Sequence, residues 1–103
     1  MKKLFISQPM NGKTDDEIEA TRLKAIESAK KKISDEVKVI DSFVAGQPWE
    51  TKPLWYLGKA LQMMSEADVV YFTKDWESAR GCRIENTCAY EYDIPVIIED
   101  DNE

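Results

Sequence analysis

Four short runs along the chain set apolar residues side by side: Lys3 to Ser7, Val37 to Asp41, Ala67 to Thr73 and Ile94 to Ile98. Such runs are too continuous for a half-exposed antiparallel sheet and predict strands buried on both faces. Between them the spacing changes to the helical one. Thr14, with Glu17 three residues on, forms a capping box, and Asp15 and Asp16 suit a helix N-terminus. The helix then runs to about Ile33 on a stripe of Ile18, Ala25, Ile26, Ala29 and Ile33, with Lys30 to Lys32 at its C-terminal end. Arg22 falls inside that stripe, either snorkelling out or held by an ion pair or an anion near the first loop.

Pro53 suits the first position of a second helix, expected to reach about Glu66. Leu54, Leu57, Leu61 and Met64 make its core stripe, while Tyr56, Ala60 and Met63 make a second. Two apolar faces on one helix predict a partner subunit, unless the second packs against the long loop from Ser42 to Lys52. That loop carries Phe43, Gly46 and Trp49 and reads as a lid or wall. A third helix is expected from Gly81 to about Tyr92.

The order βαβαβαβ with right-handed crossovers predicts a doubly wound, flavodoxin-like or Rossmann-like α/β sandwich. Its four-stranded parallel sheet takes the order 2-1-3-4, with three helices. Residues 1–98 form one domain and residues 99–103 an acidic tail. Ligands bind such sheets beyond the carboxyl ends of the strands, where the order reverses. Here that point lies between the first and third strands, beside two loops, Ser7 to Lys13 and Thr73 to Arg80.

The third helix carries the sharpest chemical signal. At the helical step, Cys82, Ile84, Cys88, Ala89 and Tyr92 fall on one apolar arc, and Glu85 falls near its middle. A carboxylate there needs a partner or faces a cavity where its charge has a task, since desolvating it is costly. Without a task it would be a scaffold group paired with Arg22 or Arg83.

Composition narrows the chemistry. The net charge of −6 argues against binding to polymeric nucleic acid or an anionic membrane. A small anion held by local arginines remains compatible with it. The chain has no histidine, which removes His-ligated zinc and Ser-His or Cys-His catalysis. No metal or other cofactor is expected. Cys82 and Cys88 lie six positions apart on one helix, roughly 9 Å along its axis, beyond disulfide reach. They read as reduced thiols of a cytoplasmic protein. Met1-Lys2-Lys3 precedes too short an apolar run for a signal or transmembrane segment. No GxGxxG, Walker or flavin phosphate-binding pattern occurs.

What remains are carboxylates, hydroxyls, arginines and backbone amides. Glu85 is the candidate nucleophile or general base. Asp75 and Glu77 are candidate acids or ribose-hydroxyl acceptors, or simply solvated loop residues. Arg80 and Arg83 flank the start of the third helix, where the dipole already favours an anion, and Gly81 permits close approach. The arginines equally serve to neutralise an acidic surface. Ser7, Gln8 and Asn11 are placed to hydrogen-bond a base or sugar, within a loop completed by Pro9, Met10 and Gly12. Trp76 either stacks on a ligand or plugs a gap.

Leu4-Phe-Ile-Ser-Gln-Pro-Met-Asn-Gly12, Glu66-Ala-Asp-Val-Val70 and Arg80-Gly-Cys-Arg-Ile-Glu85 together resemble the nucleoside 2-deoxyribosyltransferase superfamily, which includes the deoxynucleoside monophosphate N-hydrolases. The likeness is greater to a small, uncharacterised phage and bacterial family grouped with them. It implies a nucleoside or nucleotide ligand and hydrolysis or transfer at an N-glycosidic bond; the homo-oligomer is expected from the second apolar stripe of the second helix. Glu85 would be the nucleophile that attacks the anomeric carbon. Three positions depart from the enzymes' pattern: a strand-one tyrosine falls on Phe5, an aspartate on Ala60, and a polar sugar- or phosphate-contacting residue on Ala79. The resemblance therefore implies a slow or altered activity, or a binding module of the same fold without turnover. A proton for the leaving base would have to come from Asp75, Glu77 or a neighbouring subunit.

Overall fold

A computed structural model describes residues 1–41 and 52–99. The Ser42 to Lys52 loop, read as a lid or wall, lies outside the described residues except at its last position, and so does the tail beyond Glu99. Strands β1 (Lys2–Ser7), β2 (Val37–Val39), β3 (Val69–Phe72) and β4 (Val96–Ile98) form one sheet in the order β2-β1-β3-β4, and every pairing is parallel. Helices α1 (Asp15–Ile33), α2 (Pro53–Met64) and α3 (Arg80–Glu91) connect them, and a single 3-10 turn at Trp76–Ser78 interrupts the loop before α3. This is the doubly wound α/β fold that the pattern of apolar runs predicts.

Alternation along the central strands separates two cores. Leu4 and Ile6 of β1 and Val69 and Tyr71 of β3 pack with Ala25 and Ala29 of α1. Their neighbours Phe5, Val70 and Phe72 turn the other way, onto Met64 of α2 and Ala89 of α3. One helix thus covers one face of the sheet and two cover the other. Burying each large apolar side chain of this kind stabilises the fold by roughly 1.5–3 kcal/mol.

Local sequence fixes the ends of the elements. The Thr14 hydroxyl accepts from the Glu17 amide and the Glu17 carboxylate accepts from the Thr14 amide, both at 3.1 Å, so the capping box is complete. Pro53 opens α2. Asp68 accepts from the Lys3 amide at 2.8 Å and donates its own amide to the Lys3 carbonyl at 2.8 Å, which pins β3 beside β1. β2, β3 and β4 are shorter than their apolar runs, while β1 starts one residue earlier, at Lys2. Ile40 and Thr73 still donate to the Leu4 and Ser7 carbonyls at 2.8 and 3.1 Å, so pairing continues one residue past β2 and β3.

Two expectations about helix faces need correction, and a third gains a partner. Leu54, placed in the core stripe of α2, is 77% exposed, because the first turn of α2 does not pack on either core. On α3 the buried face is Cys82, Glu85 and Ala89, while Ile84 and Tyr92 of the predicted arc are exposed. Arg22 resolves its place in the α1 stripe by donating from Nη2 to the Ile40 carbonyl at 2.9 Å, at the end of β2.

Candidate functional site

β1 ends in Ser7 at the carboxyl edge of the sheet, and α3 begins just beyond β3. Alternation puts Ser7 on the same side as Phe5, facing the helices of the two-helix layer. There the Ser7 hydroxyl donates to Glu85 Oε1 at 2.7 Å, joining residues 78 positions apart. Glu85 is only 7% exposed. Burial pushes its carboxyl up to about 7 from an ordinary 4.5, and the Ser7 hydrogen bond pulls in the opposite direction. Among the described residues Glu85 forms no ion pair, so pairing with Arg22 or Arg83 does not account for it.

In front of Glu85 lies a cleft of about 650 Å³. Gln8 and Met10 from the loop after β1, Ala79, Arg80 and Gly81 from the start of α3, and Leu57 and Ala60 of α2 form its walls. A Cβ at Gly81 would meet nothing within 4 Å, so the folded chain itself does not demand glycine there. The N-cap of α3 is Ala79, which offers no side-chain acceptor to the first-turn amides. Gln8 is 5% exposed. Its Nε2 donates to the Ile18 carbonyl at 3.1 Å, which fixes the amide orientation, and its Oε1 has no hydrogen-bond partner. Cys82, one turn before Glu85 on the same helix face, also lines the cleft. Burial pushes its thiol up to about 11, with the Glu85 carboxylate adding to the rise and the Ser7 hydroxyl and Arg83 guanidinium opposing it. Such a thiol is a wall of the cleft rather than a nucleophile.

The residues nominated from sequence divide into three groups. Ser7, Gln8, Met10, Arg80, Gly81 and Glu85 come together at this cleft. Pro9 and Asp75 line a second cleft, formed with α1 on the opposite side of the sheet. The rest line neither. Asn11 and Gly12 make a turn closed by the Lys13 amide on the Met10 carbonyl at 3.1 Å, with Gly12 at φ 78°, a left-handed backbone that glycine adopts without strain. Trp76 lies 5.2 Å from Phe72, ring centre to ring centre, and packs on the second core, so it fills a gap. Arg83 donates from Nη1 to the Glu77 carbonyl at 2.8 Å. Glu77 itself is exposed and does not reach the Glu85 cleft.

The apolar walls escaped prediction. Leu54, Tyr56, Leu57 and Ile84 line the Glu85 cleft, though the helical spacing of Leu54 and Leu57 argues for core. For Cys82 a signal existed, since it lies three positions before Glu85 on one helix face. Among the described residues no cluster of three or more acidic, cysteine or histidine side chains could hold a metal, and no helix is long and apolar enough to cross a membrane.

A parallel α/β domain with a buried, hydroxyl-held carboxylate at its carboxyl edge is the class of protein defined here. Residues 2–98 match the family described as Domain of unknown function (DUF4406), and the chain belongs to that family. No curated protein matches the chain.

Proposed function

We propose that this protein cleaves or transfers the N-glycosidic bond of a nucleoside or nucleotide, with Glu85 as the nucleophile. The observation that carries the reading is a carboxylate that is buried, held at 2.7 Å by Ser7, and exposed only towards an apolar-walled cleft at the switch point of the sheet. The resemblance of the Ser7–Gly12 and Arg80–Glu85 stretches to the nucleoside 2-deoxyribosyltransferase superfamily supports the same assignment.

In this mechanism Glu85 attacks the anomeric carbon as the bond to the base breaks. A glycosyl ester forms on the carboxylate, and water or a second base then resolves it. Ser7 fixes the attacking oxygen's carboxyl group and favours its ionised form. Arg80 and the uncapped first turn of α3 would hold a substrate phosphate. Because the nucleophile must be ionised, turnover should rise with pH through about 7.

One observation favours a second reading, binding without turnover. Among the described residues Glu85 is the single carboxylate lining its cleft, and Ala60 and Ala79 present only methyl groups there. Positioned proton transfer typically contributes about 10²–10⁴-fold, so a missing donor would leave a slow enzyme or none. Leu54, Tyr56 and Ile84 stand exposed at the rim. We propose that a second copy of the chain covers them and completes the site.

The test is a panel of nucleosides, nucleoside monophosphates and NAD-like dinucleotides incubated with wild type and with Glu85→Gln. Released base is followed by chromatography and a glycosyl adduct by intact mass. Release and an adduct by wild type alone support the enzyme. Thermal stabilisation by the same compounds without any release supports the binder. Neither effect from any compound would remove both readings.

A further inference from the structure

The second cleft, of about 450 Å³, is not explained by Glu85 chemistry. We infer that it is a binding site for a small phosphorylated molecule, separate from the Glu85 cleft.

Three lysines from three different segments converge on it: Lys13 from the loop after β1, Lys24 from α1 and Lys74 from the loop after β3. None of them forms an ion pair among the described residues, whereas Lys30 elsewhere on α1 is within 3.9 Å of Glu27 and 3.7 Å of Glu36. In a chain of net charge −6, three ammonium groups against the two carboxylates of Asp75 and Glu99 around one hollow leave a local excess of positive charge. The repulsion that the two carboxylates leave uncompensated would be relieved by an added anion.

An independent observation points to a ligand at the same place. Thr73, directly after β3, lines this cleft and is 0% exposed, yet its Oγ1 has no hydrogen-bond partner. Buried hydroxyls in folded proteins almost always have one. Its backbone is committed, the amide donating to the Ser7 carbonyl and the carbonyl accepting from the Trp76 amide, both at 3.1 Å. The hydroxyl is sealed from solvent and would meet a phosphate oxygen through a side-chain rotation or a water admitted with the ligand.

Two carboxylates share the cleft and shape the ligand class. Glu99 is occupied, with Oε2 accepting from the Lys74 amide at 3.0 Å and Oε1 from the Tyr71 hydroxyl at 3.4 Å. Asp75 is exposed, held in left-handed backbone at φ 66°, and its carboxylate makes no hydrogen bond among the described residues. Three cations against two carboxylates suit a ligand that is anionic at one end and offers hydroxyl donors at the other. A sugar phosphate has both, and the volume lies within the range of small-molecule sites.

The test is backbone amide NMR of the whole protein, titrated with inorganic phosphate and with ribose 5-phosphate at constant ionic strength. Sodium chloride is the control. The expected result is a saturable shift of the Lys13, Lys74 and Asp75 amides, larger for the sugar phosphate and absent with chloride. Lys24→Glu combined with Lys74→Glu should weaken it by about tenfold or more, and Thr73→Val by a smaller factor. Glu85→Gln should leave it unchanged, which separates this site from the proposed glycosidase centre. The lysine variants change exposed side chains and keep the test valid if Thr73→Val fails to fold. Shifts that never saturate, that chloride reproduces, or that centre on Arg80 and Gly81 would overturn the proposal.

Discussion

Gln8 and Pro9 are neighbours in one loop, and Ser78 and Ala79 are neighbours in another, yet each pair is divided between the two clefts. Gln8 and Ala79 line the cleft beside α2 and α3, although the Gln8 amide also reaches back to the Ile18 carbonyl of α1, while Pro9 and Ser78 line the cleft beside α1. The first cleft is walled by apolar side chains around one desolvated carboxylate. The second gathers lysines around one orphaned hydroxyl. Low polarity at the first raises the energy of the charged carboxylate and so its reactivity, whereas the lysine-lined second suits recognition without bond breaking. A single pair of loops at the switch point therefore supports two kinds of environment, because adjacent residues in them line clefts on opposite sides of the sheet.

The largest effect that could break this contrast is on turnover. Glu85→Gln keeps the shape and removes the nucleophile, and base release should fall by about 10³-fold or more. Steady-state rates on whichever nucleotide wild type cleaves are the check. Release that survives in the variant would make the first cleft a recognition site like the second.

Next in size is a pH effect on stability. The folded carboxyl of Glu85 titrates near 7 and the unfolded one near 4.5. Between those values the folded state binds more protons than the unfolded state, so stability contributed by this group falls as pH rises. Below about 4.5 the penalty is absent, and above about 7 it is complete. At about 1.4 kcal/mol per pKa unit it amounts to roughly 3 kcal/mol at most. Glu85→Gln should remove it, so the variant should gain on wild type in urea unfolding as pH climbs from about 5 to about 8. Parallel pH profiles would mean that Glu85 is solvated and that the first cleft is as wet as the second.

A smaller effect is expected at Ser7. Ser7→Ala removes the hydroxyl that favours the ionised carboxylate, so the midpoint of the Glu85 titration should move above 7 and the rising limb of activity should move with it. Hydrogen bonds to charged groups contribute about 1.5–3 kcal/mol, and at pH 8 the variant should lose stability within that range. A pH–rate profile tells this role from a merely structural one, since a packing defect lowers the rate without moving the limb.

The fold was legible because its signals are local or strictly periodic: continuous apolar runs for the parallel strands, the Thr14 and Glu17 capping box, and Pro53 at the start of α2. The burial of Glu85 was legible for the same reason, as one residue on a helix with neighbours three and four positions away. The division of the loops was not. Asp75 faces the second cleft because its backbone is left-handed, and Trp76 reaches Phe72 because a 3-10 turn follows. Neither conformation has a periodic signature. Leu54 was misplaced because helical spacing gives a face but not where the neighbouring layer ends. The Ser7–Glu85 bond depends on a register between β1 and α3 that no stretch of sequence contains.

The smallest effect concerns the rims. Leu54 at the edge of the first cleft is 77% exposed, while the second cleft is edged by lysines. A side chain so exposed contributes little to an isolated chain, so Leu54→Ser should change the stability of dilute protein by no more than about 0.5 kcal/mol. Any larger role must come from whatever covers it. If a second copy does, folding and association are linked by mass action, and the wild-type Tm should rise with protein concentration while that of Leu54→Ser should stay flat. Sedimentation velocity across the same concentrations checks the species directly. Flat behaviour of both proteins would leave the rim open to solvent and return the missing proton donor to the substrate itself. A charged rim offers no comparable apolar area, so the same experiment on Lys24→Ser should show no change in concentration dependence, and only the first cleft would then be built to be closed by its own kind.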